Sequence, residues 1–378
     1  MKKLLCFLTA LLLFTLPAWA KQAGPGEYYQ QQYEDSGAAD LPDSLPDETR
    51  KILEEIGADS PDWESISGLT PESIFSQIGN VASEKSSGPL HAALSVLAVI
   101  LLCALMNGLK LSFGERPMSG VIGMVGTLCI CTIVVQPVVT CIQNVALVIK
   151  GAAAFLLACI PVLTGIMVAG GQSVSAGTYN ILMVAAGNVI SLVAAVIVVP
   201  LLNIFLAFSI VSAISPALRL SGLCDLFSSA VKWILTFCMT VFSGLLTVQT
   251  VVSSAADSAG AKTMKFVVSA FVPVVGSALG DALASVQGSV KLLKSGVGAF
   301  GLLAAGAIFL PVALECLFWL FTLSACAAVG NLFELKEITE LLRSSSKVIQ
   351  ILLSLILCCL TILVISTVLM MAIGGGTA

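Results

Sequence analysis

Runs of apolar residues long enough to cross a bilayer, near residues 89–109, 118–142, 146–170, 180–212, 233–253, 296–330 and 348–373, constrain this chain more than any other feature. About 20 such residues are needed per crossing, and hydrocarbon offers no partner for bare backbone, so the spans must be helices. The expected fold is all-α and polytopic, with about seven transmembrane helices. Composition agrees: 57% of residues are hydrophobic, 11% are charged, and the mean hydropathy is +1.02. Pro137, Pro161, Pro200 and Pro311 fall inside these runs and predict kinks or breaks there.

Charge divides the chain. Residues 21–88 hold Asp and Glu in large excess over Lys21, Arg50, Lys51 and Lys85, whereas basic residues outnumber acidic ones after residue 88. Residues 1–20, MKKLLCFLTALLLFTLPAWA, read as a basic start, a short apolar core, Pro17 and an A-x-A ending, the form of a secretory signal; an uncleaved anchor is the alternative. Either places residues 21–88 outside the cytoplasm. Within them, residues 21–46 lack an apolar period and are expected to be disordered. Residues 47–88 are expected to form short helices: DETRKILEEIG ends at Gly57, and Thr70 caps a second helix with Pro71 at its first position. Seven crossings from outside would leave the C-terminus cytoplasmic, with Lys110, Arg116, Lys262, Lys265, Lys291 and Lys294 inside.

One stretch, Lys262 to Gly298, departs from plain span composition. Gly276, Gly280, Ala284 and Gly288 recur every four residues and make a slim ridge for close helix packing. A second row, Ser277, Asp281, Ser285 and Ser289, is polar and would face a wet cavity or path. The expectation is a re-entrant or buried helix near 266–290. Glu315 and Lys150 are the other intramembrane charges, and such groups are candidates for function because burying them is costly.

Catalytic patterns are missing from the sequence. It has no G-x-x-x-x-G-K-[ST], and its single histidine, His91, excludes H-E-x-x-H. Ser119, Ser243 and Ser295 lack the context of an intramembrane serine protease, and Gly280-Asp281 lacks a second aspartate in an apolar helix. The cysteines lie mainly in apolar runs, where a thiol packs as a small hydrophobe. No catalytic, cofactor or metal site is expected, and no nucleic-acid partner.

The segments LPDSLPDETRKILEEIG and LTPESIFSQIG, together with KFVVSAFVPVVGSALGDALASVQGSVKLLKSGVG, resemble the stage III sporulation protein AE family of endospore-forming bacteria. The most specific part is the F-x-P-V-V-G core at Phe271, Pro273, Val274, Val275 and Gly276, followed by Asp281. The resemblance implies an integral subunit of a channel or secretion complex in the mother-cell membrane around the forespore. Implied partners are other stage III sporulation A-operon proteins, including a cytoplasmic ATPase and intermembrane-space ring proteins, and, indirectly, the forespore protein Q. Two other readings stay open: a secondary transporter or permease with a mid-membrane site near Asp281 and Glu315, and a pure membrane scaffold.

Overall fold

A computed structural model describes the backbone of residues 25–113, 119–214, 221–271 and 276–372; within these, side chains are described except over 25–28, 109–122, 258–287 and a few single positions. The signal-like residues 1–20 lie outside the described residues. The described chain is helical: α1 (Pro25–Asp35), two 3-10 turns (Ala38–Asp40 and Pro42–Ser44), α2 (Asp47–Ile56), α3 (Trp63–Ser67), α4 (Pro71–Phe113), α5 (Ser119–Ala169), α6 (Ser173–Leu192), a π-helical stretch (Val193–Val198), α7 (Val199–Ile214), α8 (Ser221–Phe271), α9 (Gly276–Leu332) and α10 (Lys336–Ala372). Among the described residues, six helices are long and apolar enough to cross a membrane, with α6 and α7 counting as one. A polytopic all-α membrane protein is the result.

Six differs from seven for one local reason. Gln143-Asn144, which the hydropathy profile reads as a boundary near residue 145, does not interrupt α5, so two expected spans form one helix. At 1.5 Å per residue this helix is about 77 Å long, more than twice the hydrocarbon thickness. Prolines do not end these helices either: Pro89, Pro137, Pro161 and Pro311 all lie within continuous ones. Pro200 follows a change of winding, a π-helical stretch that ends at Val198, a common accommodation for a residue without an N–H.

Gly170 N bonds to Ile166 O, and Gly171 takes a left-handed φ of 78°, a conformation that glycine adopts without a Cβ penalty. The chain thereby reverses between α5 and α6. Asp257 on α8 secures the start of α6: its two carboxylate oxygens accept from Val174 N at 3.1 Å and Ser175 N at 3.0 Å. An aspartate at a helix N-terminus satisfies free donors and complements the dipole, worth about 1 kcal/mol. Thr178 and Ser253 share a hydroxyl hydrogen bond of 2.9 Å one turn away.

Residues 25–67 do not behave as a loose leader. Ala38, Leu41, Leu45, Ile52, Leu53 and Ala58 are all buried, each large apolar side chain contributing about 1.5–3 kcal/mol relative to exposure. The stretch 25–46, expected to be disordered, instead carries α1 and both 3-10 turns. As expected, α2 ends at Gly57, whose φ is 84°, with Ala58 N bonded to Leu53 O at 2.8 Å. Thr70 Oγ1 accepts from Ser73 N at 3.3 Å, the anticipated cap. The helix it opens is not short, however, because α4 continues through Pro89 into the first apolar run.

Glycines fix where these parts meet. A Cβ on Gly296 of α9 would lie 2.8 Å from Pro61 O and 3.2 Å from Trp63 N, one on Gly170 would lie 3.3 Å from Val290, and Gly298 abuts Met371 of α10. The N-terminal segment, the α5–α6 turn, the Lys291–Gly298 part of α9 and the end of α10 therefore share one end of the bundle. An arrangement with residues 21–88 on one side of the membrane and Lys291, Lys294 and the C-terminus on the other does not fit this grouping. Counting lysines as loop charges misleads here, because Lys294 is buried within the bundle.

Candidate functional site

A polar seam crosses the bundle at Glu315. This residue lies on α9 one turn after Pro311, and α9 runs antiparallel to α5, so Glu315 meets the face of α5 that carries Cys141 and Asn144 three residues apart. Asn144 Nδ2 donates to Glu315 Oε2 at 3.4 Å, and Cys141 Sγ donates to Oε1 at 3.7 Å. Both carboxylate oxygens thus have a protein donor. Lys85 on α4 pairs with Glu48 of α2 at 2.8 Å.

Lys150 is not part of the seam. Its side chain is exposed, and among the described residues it forms no ion pair, so the two intramembrane charges singled out in the sequence do not pair there. Lys294, by contrast, is 8% exposed, and its ammonium has no hydrogen-bond partner among the described residues. Asn144 was hidden by its reading as a boundary, although a polar pair halfway along a long apolar run is the signal that could have found it. Asn188, polar within an apolar run, is exposed and bonds to Val184 O of its own helix at 2.8 Å.

The Lys262–Gly298 stretch is described only in part. Phe271, Pro273, Val274, Val275, Gly276, Ser277, Gly280, Asp281, Ala284 and Ser285 have side chains outside the described residues. The last member of each row is visible. Gly288 is exposed, and a Cβ placed there would meet nothing within 4 Å among the described residues. Ser289 is 4% exposed. At this turn the polar row points into the bundle and the glycine ridge points away, opposite to an arrangement in which the ridge makes the tight helix contact.

Among the described residues, tight contacts fall on other glycines. Gly126 of α5 is pressed against Cys103 of α4 and Ile338 of α10; a Cβ on Gly123 would lie 2.9 Å from the Glu337 carboxylate, and one on Gly330 would lie 2.9 Å from Thr339 Oγ1. A buried Tyr179 on α6 shares a 3.2 Å hydroxyl hydrogen bond with Ser366 of α10. The membrane helices are thus joined by small-residue contacts and isolated hydrogen bonds, as expected where lipid supplies no hydrophobic contrast.

The N-terminal segment is held by its own polar contacts. Tyr29 Oη donates to Asp62 Oδ1 at 2.6 Å and accepts from Trp63 N at 3.3 Å, while Tyr33 shares a hydroxyl bond with Ser60 at 3.2 Å. Burial, and then the hydrogen bond to Asp62, raise the Tyr29 phenol above its ordinary range; burial also raises Tyr33. The raised folded-state values favour neutral phenols, so this stabilisation is complete below the ordinary tyrosine pKa and is lost as pH rises through the folded values. Tyr29→Phe should therefore lessen the alkaline loss of the docked segment, read as protease cleavage at Arg50 and Lys51 across a pH series; an unchanged pH profile would contradict this assignment.

Among the described residues no cluster of three or more His, Cys, Asp or Glu side chains is placed to hold a metal ion. The family model for stage III sporulation protein AE matches residues 65–374. A curated relative, stage III sporulation protein AE of Bacillus subtilis (strain 168), is 26% identical over 216 residues, covering 57% of this chain and 54% of the relative, so the match spans about half the length of each. No solved structure matches. With four-fifths of its length, from the end of α3 to the end of α10, inside the family match, this polytopic helical chain belongs to the stage III sporulation protein AE family.

Proposed function

We propose that this chain is an integral membrane subunit of the sporulation channel or secretion complex in the mother-cell membrane around the forespore, and that it works as a scaffold without its own motor. The observation that carries the reading is the docked N-terminal segment: residues 25–67 are packed onto α9 at Gly296 and tied to α4 by Glu48–Lys85. An acidic platform rigidly joined to membrane helices suits a protein that presents a surface to partners outside the cytoplasm. Those partners would be other proteins of the stage III sporulation A group, including the ring-forming proteins of the intermembrane space, with the ATPase on the opposite face.

In this reading residues 25–67, the Gly170–Gly171 turn, Lys291–Gly298 and the end of α10 lie outside the cytoplasm. The opposite end, with Lys336, Arg343 and Lys347, lies inside, in keeping with the positive-inside rule. The excess helix length over about 30 Å of hydrocarbon then projects on the outer side, where the segment packs. Alkaline phosphatase fused after Gly171 or Ala372 should be active, and fused after Phe333 inactive; the reverse pattern would overturn the orientation. The assembly itself is tested by crosslinking sporulating cells, purifying the full chain and identifying its companions by mass spectrometry. Recovery of the operon ATPase and ring proteins supports the complex, and recovery of the chain free of them sinks it.

A further inference from the structure

At the end of the bundle opposite the docked segment, α7 finishes at Ile214, α8 begins at Ser221, α9 finishes at Leu332 and α10 begins at Lys336. These ends enclose a cavity of about 450 Å³ whose lining includes Ser212, Asp225, Lys336, Glu340, Arg343 and Lys347. Residues 336, 340, 343 and 347 are spaced along one face of α10. Three of the charges are already engaged: Lys347 pairs with Asp225 at 2.9 Å, and Glu340 Oε1 accepts from Ser212 Oγ at 3.5 Å. Among the described residues, Lys336 and Arg343 have no carboxylate within ion-pair distance, and the lining carries a net charge of +1. The N-terminus of α10, a 37-residue helix, adds the positive end of its dipole.

We propose that this pocket binds a phosphate ester, with Arg343 and Lys336 donating charge-assisted hydrogen bonds to its oxygens. Guanidinium matches phosphate in a planar, two-point manner, and lysine adds a point charge. The location matches the chemistry. Four apolar helices begin or end around the cavity, so it lies where hydrocarbon gives way to water and where phospholipid phosphates reside. Its volume accommodates a phosphoglycerol group with room for water. The same donors would accept the phosphate of a soluble ester or inorganic phosphate, so the phosphate group is the recognised element and its source is a matter for the test.

The full chain in dodecyl maltoside should bind dihexanoyl-phosphatidylglycerol, measured by native mass spectrometry and thermal shift, and should not bind dihexanoylglycerol, which lacks the phosphate. Arg343→Gln and Lys336→Gln should each weaken the phospholipid roughly tenfold, the effect of losing one charge-assisted contact. Lys291→Gln, at an exposed lysine on the other end, should leave binding unchanged. Both pocket residues are exposed, so wild-type melting without the lipid is expected for each variant, and either alone suffices for the test. Competition by inorganic phosphate would identify a general phosphate site, and lack of competition a lipid headgroup site. Binding that is absent, that is equal in wild type and both pocket variants, or that falls as much in Lys291→Gln would overturn the proposal.

Discussion

Gly296→Leu is expected to release residues 25–67 from the helix bundle. A Cβ at this position would sit 2.8 Å from Pro61 O and 3.2 Å from Trp63 N, and both obstacles are backbone atoms that no rotamer change can move. The polypeptide from Pro61 to Trp63 is also pinned by Tyr29, which holds Asp62 and Trp63 together. Overpacking a well-filled contact costs about 1–3 kcal/mol, and here the strain falls on a segment whose attachment depends on a few buried side chains, chiefly Leu41, Leu45, Ile52 and Leu53. A cost of about 2 kcal/mol multiplies the detached population by roughly 30. Trypsin cleavage at Arg50 and Lys51 in detergent micelles should rise by a comparable factor. Gly288→Leu, eight residues away on the same helix and in open space among the described residues, should leave cleavage at the wild-type rate. Equal protection in the wild type and Gly296→Leu would show that the segment is not seated on α9.

These two glycines illustrate what could be read before the fold was known. A four-residue recurrence of small residues marks a slim face on a helix, but it carries no information on where that face points; Gly288 turns outward and Ser289 inward. The contact glycines are scattered: Gly126 on α5 and Gly330 on α9 both meet α10, and Gly296 on α9 meets the N-terminal segment, so they leave no single ridge in the sequence. The apolar runs specified their helices because hydrocarbon admits few other backbone arrangements. The boundaries were less legible, since polar residues such as Gln143 and Asn144 look alike whether they end a helix or meet a partner inside a bundle. Residues 21–46 resemble a disordered leader because Ala38, Leu41 and Leu45 are sparse. Their burial depends on a receiving surface formed by α5 and α9, more than a hundred residues downstream. Asp257 was likewise invisible as a cap, for it lies on a different helix from the backbone N–H groups that it accepts.

Glu315 is the residue where structural and conductive roles can be separated. Both of its carboxylate oxygens accept from α5, through Asn144 at 3.4 Å and Cys141 at 3.7 Å. Glu315→Leu should leave the Asn144 amide without its acceptor between two apolar helices, a loss of about 1–3 kcal/mol, visible as a lower melting temperature in detergent. Asn144→Leu should be at least as costly, because it leaves a carboxylate behind without its amide donor. The double variant removes both polar groups and fills the seam with hydrocarbon, which can be nearly neutral. Its melting temperature should therefore recover most of the way to wild type, and the double-mutant cycle should give a coupling of about 1 kcal/mol or more. The discriminating measurement is spore formation by the double variant. A stable, sporulating Glu315→Leu/Asn144→Leu protein would assign the seam to bracing α5 against α9, in line with a scaffold. A stable protein that no longer supports sporulation would mean that the carboxylate itself acts on something passing through the bundle, and the permease reading would then take precedence. Additive losses in the two single variants, with no recovery in the double, would show that the Asn144–Glu315 contact is not an energetic link between these helices.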